Sequence, residues 1–255
     1  MRSRKNMRLF YGAGICALAA CVLLPVICVL QSAFLRQTIF ESLEKGSLLS
    51  VLSHLYEQFG QAEFALVYDA GHLPGIPLLL LFYLVLAGAC FKSSKREGAR
   101  RRGCVLAGAG LQCYAVISFL THIVLAVALY YKEWTQGVSS LMIFRILLTA
   151  MGSGFFELLI ISVFSVLLIL TGKSGKYRPI AVAAGGVCFY RLFKDSLWLF
   201  TGLFDGTLKE TAPLQIWHGV FFLAAMFLVL CAAVLVAMSG GRSEEDEEDA
   251  ERSTP

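Results

Sequence analysis

Five ionisable side chains interrupt apolar stretches in the second half of the chain: Arg145, Glu157, Arg191, Lys194 and Asp195. An ion in hydrocarbon is costly, so such residues pair with one another or line a cavity. A guanidinium set against a carboxylate can hold a helix register, or it can bind a charged or zwitterionic solute. The spacing points to two pairs. Arg191 and Asp195 stand four residues apart, on one face of a helix. Counted along antiparallel neighbours at about 1.5 Å per residue, Glu157 meets Arg191 near mid-depth and Arg145 meets Asp195 nearer the outer surface. Lys194 can reach the outer headgroups on its long stem. The expected site is thus an ionic seam between segments 141–171 and 179–204, lined by Arg145, Glu157, Arg191, Lys194 and Asp195.

A second set of residues could carry acyl transfer. "MGSG" (151–154) holds Ser153, and "WHGVFF" (217–222) holds His218. A serine needs only a base within reach to become a nucleophile. A GxSG-like turn in the fourth apolar segment, a histidine in the sixth and a long loop after the first resemble the rhomboid proteases. That resemblance implies Ser153 as nucleophile and His218 as base. It covers topology and these two residues: Met151 stands at the motif's first glycine, and the second apolar segment has no His/Asn pair. His122 and His218 fall at similar depth, as a bis-histidine haem requires. They are not part of a repeated histidine pattern, and no cofactor or metal is expected. No P-loop, GxGxxG or HExxH occurs, and the polar segments are too short for a nucleotide domain.

The elements that must position these residues are membrane helices. The composition is 57% hydrophobic and 16% charged, with mean hydropathy +0.70; a soluble domain is roughly 25% charged. Six apolar stretches, near 9–33, 75–91, 104–130, 141–171, 179–204 and 214–238, are candidates to cross a bilayer. Hydrocarbon leaves sheet edges unsatisfied, so the fold class is all-α: a polytopic six-helix bundle. Segment 141–171 would reach roughly 46 Å if straight, so it either tilts or breaks at "MGSG". Small residues in 9–33, in "LAGAC" (86–90), in "LAGAG" (106–110) and in "AVAAGG" (181–186) read as packing seams.

The loops orient the bundle. "MRSRKNMR", 92–103 and 172–178 carry four, six and three basic residues, against one acid in all. Segment 36–74 carries two basic and five acidic residues. Lys and Arg favour the cytoplasmic side, and with six spans every basic segment falls on one face. Both termini are then cytoplasmic. Residues 1–241 form one transmembrane domain, and 242–255 an acidic, disordered cytoplasmic tail. Leu48, Leu52, Leu55 and Phe59 place a short amphipathic helix in the outer loop. The first span is expected to stay as an anchor, although "LAAC" (18–21) would offer Cys21 for lipidation. The eight cysteines are expected to be small buried hydrophobes.

The leading expectation is a small permease, or the membrane subunit of a transport or sensing complex, in a bacterial-type plasma membrane. The alternatives are the intramembrane serine hydrolase above and a non-catalytic structural or regulatory membrane protein. The expected partners are lipid, with anionic headgroups at Lys92, Lys95, Arg96, Arg100, Arg101 and Arg102, and a separate ATPase or other membrane subunit. Nucleic acid is not expected.

Overall fold

A computed structural model describes residues 2–43, 73–92, 97–135, 140–205 and 213–239. Residues 44–72, most of the expected outer loop with its expected amphipathic helix, and the acidic tail lie outside the described residues. Those described form six α-helices and no strand: α1 (Arg2–Leu43), α2 (Ile76–Lys92), α3 (Glu97–Thr135), α4 (Ser140–Lys173), α5 (Arg178–Asp205) and α6 (Pro213–Ser239). Short 3₁₀ turns at Leu73–Gly75 and Gly175–Tyr177 lead into α2 and α5. The first is the "HLPGIP" stretch, where two prolines and a glycine break the chain.

Four helices contain segments long and apolar enough to cross a membrane: Asn6–Leu30, Arg100–Val124, Gly154–Lys173 and Ile216–Ser239. Helix α2 is apolar throughout but has only 17 residues. Helix α5 is long enough at 28 residues, but carries Arg191, Lys194 and Asp195 close together. All six helices pack as one bundle.

Of the two alternatives for segment 141–171, a tilt or a break at "MGSG", the break is not found. Helix α4 runs unbroken over 34 residues. Breaking it would leave backbone groups unpaired where no water reaches, at several kcal/mol each. Two glycines cost a helix roughly 1 kcal/mol apiece. Continuity is therefore the lower-energy outcome. Helix α1 also runs to Leu43, through the beginning of what the charge pattern reads as loop.

Consecutive helices pack around a ring: α1 on α2, α2 on α3, and so on to α6, which closes on α1. Helices α3 and α6 also touch across it. Side-chain contacts fix the antiparallel register of α3 and α4. The Ser165 hydroxyl donates to the Gly108 carbonyl. One turn on, Gln112 Nε2 donates to Ser162 Oγ at 3.0 Å. Further out, the Phe119 and Phe155 rings lie 6.0 Å apart. A Cβ on Gly108 would sit 2.8 Å from the Ser165 carbonyl, so only glycine allows this approach.

The interior mixes large side chains such as Phe10, Tyr83, Tyr114 and Phe164 with rows of small ones. Ala13, Ala17 and Ala20 of α1 and Ala225, Ala232, Ala233 and Ala237 of α6 are buried. Ile15, Leu18, Val22 and Val29 of α1 and Leu81, Leu84 and Val85 of α2 are exposed. A soluble protein would not expose such continuous apolar faces. In lipid, close packing of small residues drives association instead. Fold and surface together are compatible with a membrane protein. All eight cysteines are free thiols. Cys21 is buried, and its Sγ lies 3.7 Å from the Leu80 carbonyl of α2.

Helix order brings the basic residues to one end. A Cβ on Gly103 would touch Phe10 and Val236, and one on Gly172 would touch Cys104. These contacts put the start of α1 and α3 beside the close of α4 and α6. Arg8, Lys92, Arg100, Arg101, Arg102, Lys173, Lys176 and Arg178 lie at or near this end.

Candidate functional site

Helix α4 turns a continuous face inward. Gly154, Ile161, Phe164, Ser165 and Leu168 are buried, while Phe155, Phe156, Leu159, Val163 and Val166 are exposed. Glu157 sits three residues past Gly154 and four before Ile161, so helical periodicity places it on the inward face. On α5 the inward face comprises Ala181, Gly185, Cys188 and Ser196. Arg191 follows Cys188 by three residues and lies at the edge of that face nearest α4.

These two faces bring a cation and an anion together. Arg191 Nη2 stands 4.0 Å from Glu157 Oε2, with the side chains 18% and 14% exposed. This is an ion pair, but longer than a hydrogen bond of about 2.7–3.2 Å. It is not the close bidentate fork that Arg and carboxylate form when locked together.

Phe156 adds something the sequence pattern does not announce. It is exposed on the outer face of α4, yet the Arg191 guanidinium carbon lies 5.3 Å from its ring centroid. The cation is held between a carboxylate on the inward side and an aromatic face on the outward side. A cation over a ring gains about 0.5–2 kcal/mol, the upper figure when desolvated. Phe156→Leu keeps an apolar outer surface but loses the ring quadrupole. The expected result is a loss of about 1–2 kcal/mol, read as a lower unfolding midpoint in detergent. A parallel Phe155→Leu control should show less of the effect.

A histidine lies one turn toward the N-terminus of α4. A Cβ on Gly154 would come 3.6 Å from His122 Cβ and Cγ. His122 of α3 therefore packs against the turn of α4 just before Glu157. Its Nδ1 is 2.6 Å from the Ser118 carbonyl of its own helix. A carbonyl only accepts, so Nδ1 carries the hydrogen of this contact. Cys188, one turn before Arg191 on α5, is buried.

The other expected residues are placed as follows. Lys194 is exposed on α5. Arg145, Ser153 and Asp195 lie on α4 and α5, and their side chains are outside the described residues. His218 is buried on α6 and stacks on Phe222 of its own helix, with ring centroids 6.1 Å apart. The histidine packed on the turn beside Ser153 is His122. Among the described residues, no group of three or more His, Cys, Asp or Glu side chains could hold a metal ion.

Gln112, Ser162, Ser165 and His122 escape a charge-based reading. Gln112 bonds Ser162 and Ser165 bonds the Gly108 carbonyl across the α3–α4 contact, and His122 packs on α4 further along it. Interhelical hydrogen bonds in lipid contribute about 0.6–2 kcal/mol each. Comparison of the chain with protein-family models, with curated proteins and with solved structures finds no match.

Proposed function

We propose that the chain is a small permease, or the membrane subunit of a transport or sensing complex, and that the seam of α4 and α5 is its solute site. In this reading it crosses a bacterial-type plasma membrane six times, with both termini in the cytoplasm. The basic end then faces the cytoplasm. Lys92, Arg100, Arg101 and Arg102, with Lys95 and Arg96 outside the described residues, meet anionic headgroups there. Any ATP-driven step belongs to a separate chain, because this one has no nucleotide motif.

One observation carries the reading. Glu157 lies on the inward face of α4, between residues that are largely buried, yet it and Arg191 retain 14% and 18% of their side-chain surface. The pair is loose at 4.0 Å. A purely structural pair in lipid gains most by closing to hydrogen-bond distance and burying itself. An open pair at mid-bundle suits a polar cavity.

Cys188 is a native reporter for that cavity. With the other seven cysteines replaced by alanine, a membrane-impermeant anionic thiosulfonate applied to proteoliposomes is expected to label Cys188. Ser196→Cys in the same background, one further turn outward from Arg191, should label faster. Thiols react as thiolates, which need water. If both positions react only after denaturation, the seam is dry and the transport reading falls.

A further inference from the structure

We propose that the acidic segment 244–251 of this chain folds back onto the basic end of the bundle and competes there with anionic lipid headgroups. Helix α6 ends where the cations gather. Cys104 Sγ of α3 lies 3.9 Å from the Val236 carbonyl of α6, and a Cβ on Gly103 would come 3.5 Å from Val236. The two helices run in opposite directions, so Ser239, the buried last residue of α6, comes level with Arg100. The chain therefore leaves the bundle beside Arg100, Arg101 and Arg102, the one run of three consecutive cations in the sequence.

The end itself is open to solvent. Arg8, Lys92, Arg101, Arg102 and Lys173 are exposed, and Arg100 is half-buried. A Cβ on Gly172 would come 3.1 Å from the Arg101 carbonyl, which sets Lys173 beside the arginine turn. Segments 1–8, 92–103 and 172–178 hold a single acid, Glu97, among their basic residues. Arg100 Nε is buried and has no hydrogen-bond partner among the described residues. A buried N–H left so costs free energy, and a guanidinium takes a carboxylate in preference to a neutral acceptor.

Segment 244–251 supplies carboxylates in seven of its eight positions, broken only by Ala250. It lies outside the described residues; its charge is fixed by the sequence and its point of departure by α6. Gly240 and Gly241 follow Ser239 and let a chain turn off a helix axis. At about 3.3–3.6 Å per residue, Glu244 stays within about 18 Å of Ser239. The acidic segment itself extends by up to about 28 Å, enough to cross neighbouring helices set about 8–10 Å apart. A single exposed ion pair holds little. A tethered segment is present at an effective concentration in the millimolar range, and its carboxylates act on the end together. The same cations meet anionic headgroups in the reading above. The competition rests on that reading, whereas the contact between segment and end does not. A guanidinium that holds a carboxylate of the segment is not available to a headgroup.

The test uses the full chain in detergent. A water-soluble carbodiimide joins a carboxylate to a lysine amine only where the two touch. Mass spectrometry of the digest is expected to find links from segment 244–251 to Lys92 and Lys173, falling about fivefold between low salt and 1 M salt, where the screening length shrinks to about 3 Å. Arg101→Gln combined with Arg102→Gln changes two exposed residues and neither lysine, yet should cut the same links about threefold at low salt. No links, or links insensitive to both salt and the arginines, would overturn the proposal. Protein mixed from heavy- and light-isotope batches identifies the source of the segment: links joining heavy to light peptides would assign the contact to a second copy and overturn it likewise. A second arm reads the competition. Changing the seven acids of 244–251 to Gln and Asn should raise about threefold the phosphatidylglycerol retained on purification from mixed phosphatidylcholine–phosphatidylglycerol vesicles. Equal retention in the two proteins, with salt-sensitive links present, would overturn the competition. No retention in either would overturn it together with the headgroup reading, and would leave the solute site of α4 and α5 untouched.

Discussion

Reversing Arg191 to Glu is expected to remove most of the folded protein, and adding Glu157→Arg to restore it. The single change places two carboxylates where the structure has Arg191 Nη2 and Glu157 Oε2 at 4.0 Å. Breaking a buried pair by losing one partner costs about 3–5 kcal/mol; these side chains are 18% and 14% exposed, so the cost falls at or below the lower end of that range. A domain with about 5–15 kcal/mol of total stability loses a large part of its margin. Glu157→Arg alone should be as damaging, since two guanidinium groups then face each other. With both changes the attraction returns with its ends exchanged. The measurement is the monodisperse yield and unfolding midpoint of all four proteins, arranged as a double-mutant cycle. A double variant no better than either single one would mean that the two side chains are not partners. Phe156 makes the cycle asymmetric in a useful way. It stacks on the Arg191 guanidinium, and in the exchanged protein the cation springs from α4 itself, so recovery should stop short of wild type by about the cation–π contribution, roughly 1–2 kcal/mol.

Charge in an apolar stretch is the strongest signal a membrane sequence offers, and the two residues of this pair are readable for that reason. Their partnership is readable as well. Helices α4 and α5 are joined by the short turn at Gly175–Tyr177, so counting back from it in both directions leads to similar depths. Arg145 and Asp195 follow by the same counting, but their side chains lie outside the described residues. Phe156 is not readable, because a phenylalanine in a membrane helix is ordinary and only the three-dimensional approach of Arg191 gives it a role. His122 is a related case. Periodicity assigns a residue to a face and a depth, which matches it with His218, yet its packing partner is a glycine on another helix. The glycine pair of "MGSG" offers a break as the alternative to a tilt, and the helix does not take it for a physical reason. Glycine lowers the cost of a break without supplying partners for the freed backbone groups, and a bilayer interior supplies none. The helical class follows from hydropathy alone, whereas the closure of α6 onto α1 depends on small faces whose complementarity no single segment displays.

Gly185→Ala is the smallest change expected to disturb this seam strongly. A Cβ there would come 2.5 Å from Val234 Cγ2 of α6 and 3.1 Å from the Phe164 ring of α4. Valine in a helix is held near one rotamer, so Val234 cannot simply swing aside. Phe164 is fully buried and has no space to retreat into. The remaining response is for α5 to lift from both neighbours. Overpacking a closed interior costs about 1–3 kcal/mol. The expected loss lies toward the upper end, because Gly185 shares its inward face with Cys188 and Arg191, so lifting α5 also draws Arg191 away from Glu157. Val234→Ala removes the obstructing methyl groups. The double variant should recover much of the unfolding midpoint lost by Gly185→Ala, even though Val234→Ala alone lowers it. Cys188 gives the second readout: labelling should quicken in Gly185→Ala and return toward the parent rate in the double variant. A Gly185→Ala protein as stable as its parent would mean that α5 and α6 do not approach this closely. Recovery of stability without recovery of the labelling rate would separate helix packing from the opening of the seam. The approach at Gly185 would then set how tightly the bundle holds, while the state of the Arg191–Glu157 pair set how much water enters it.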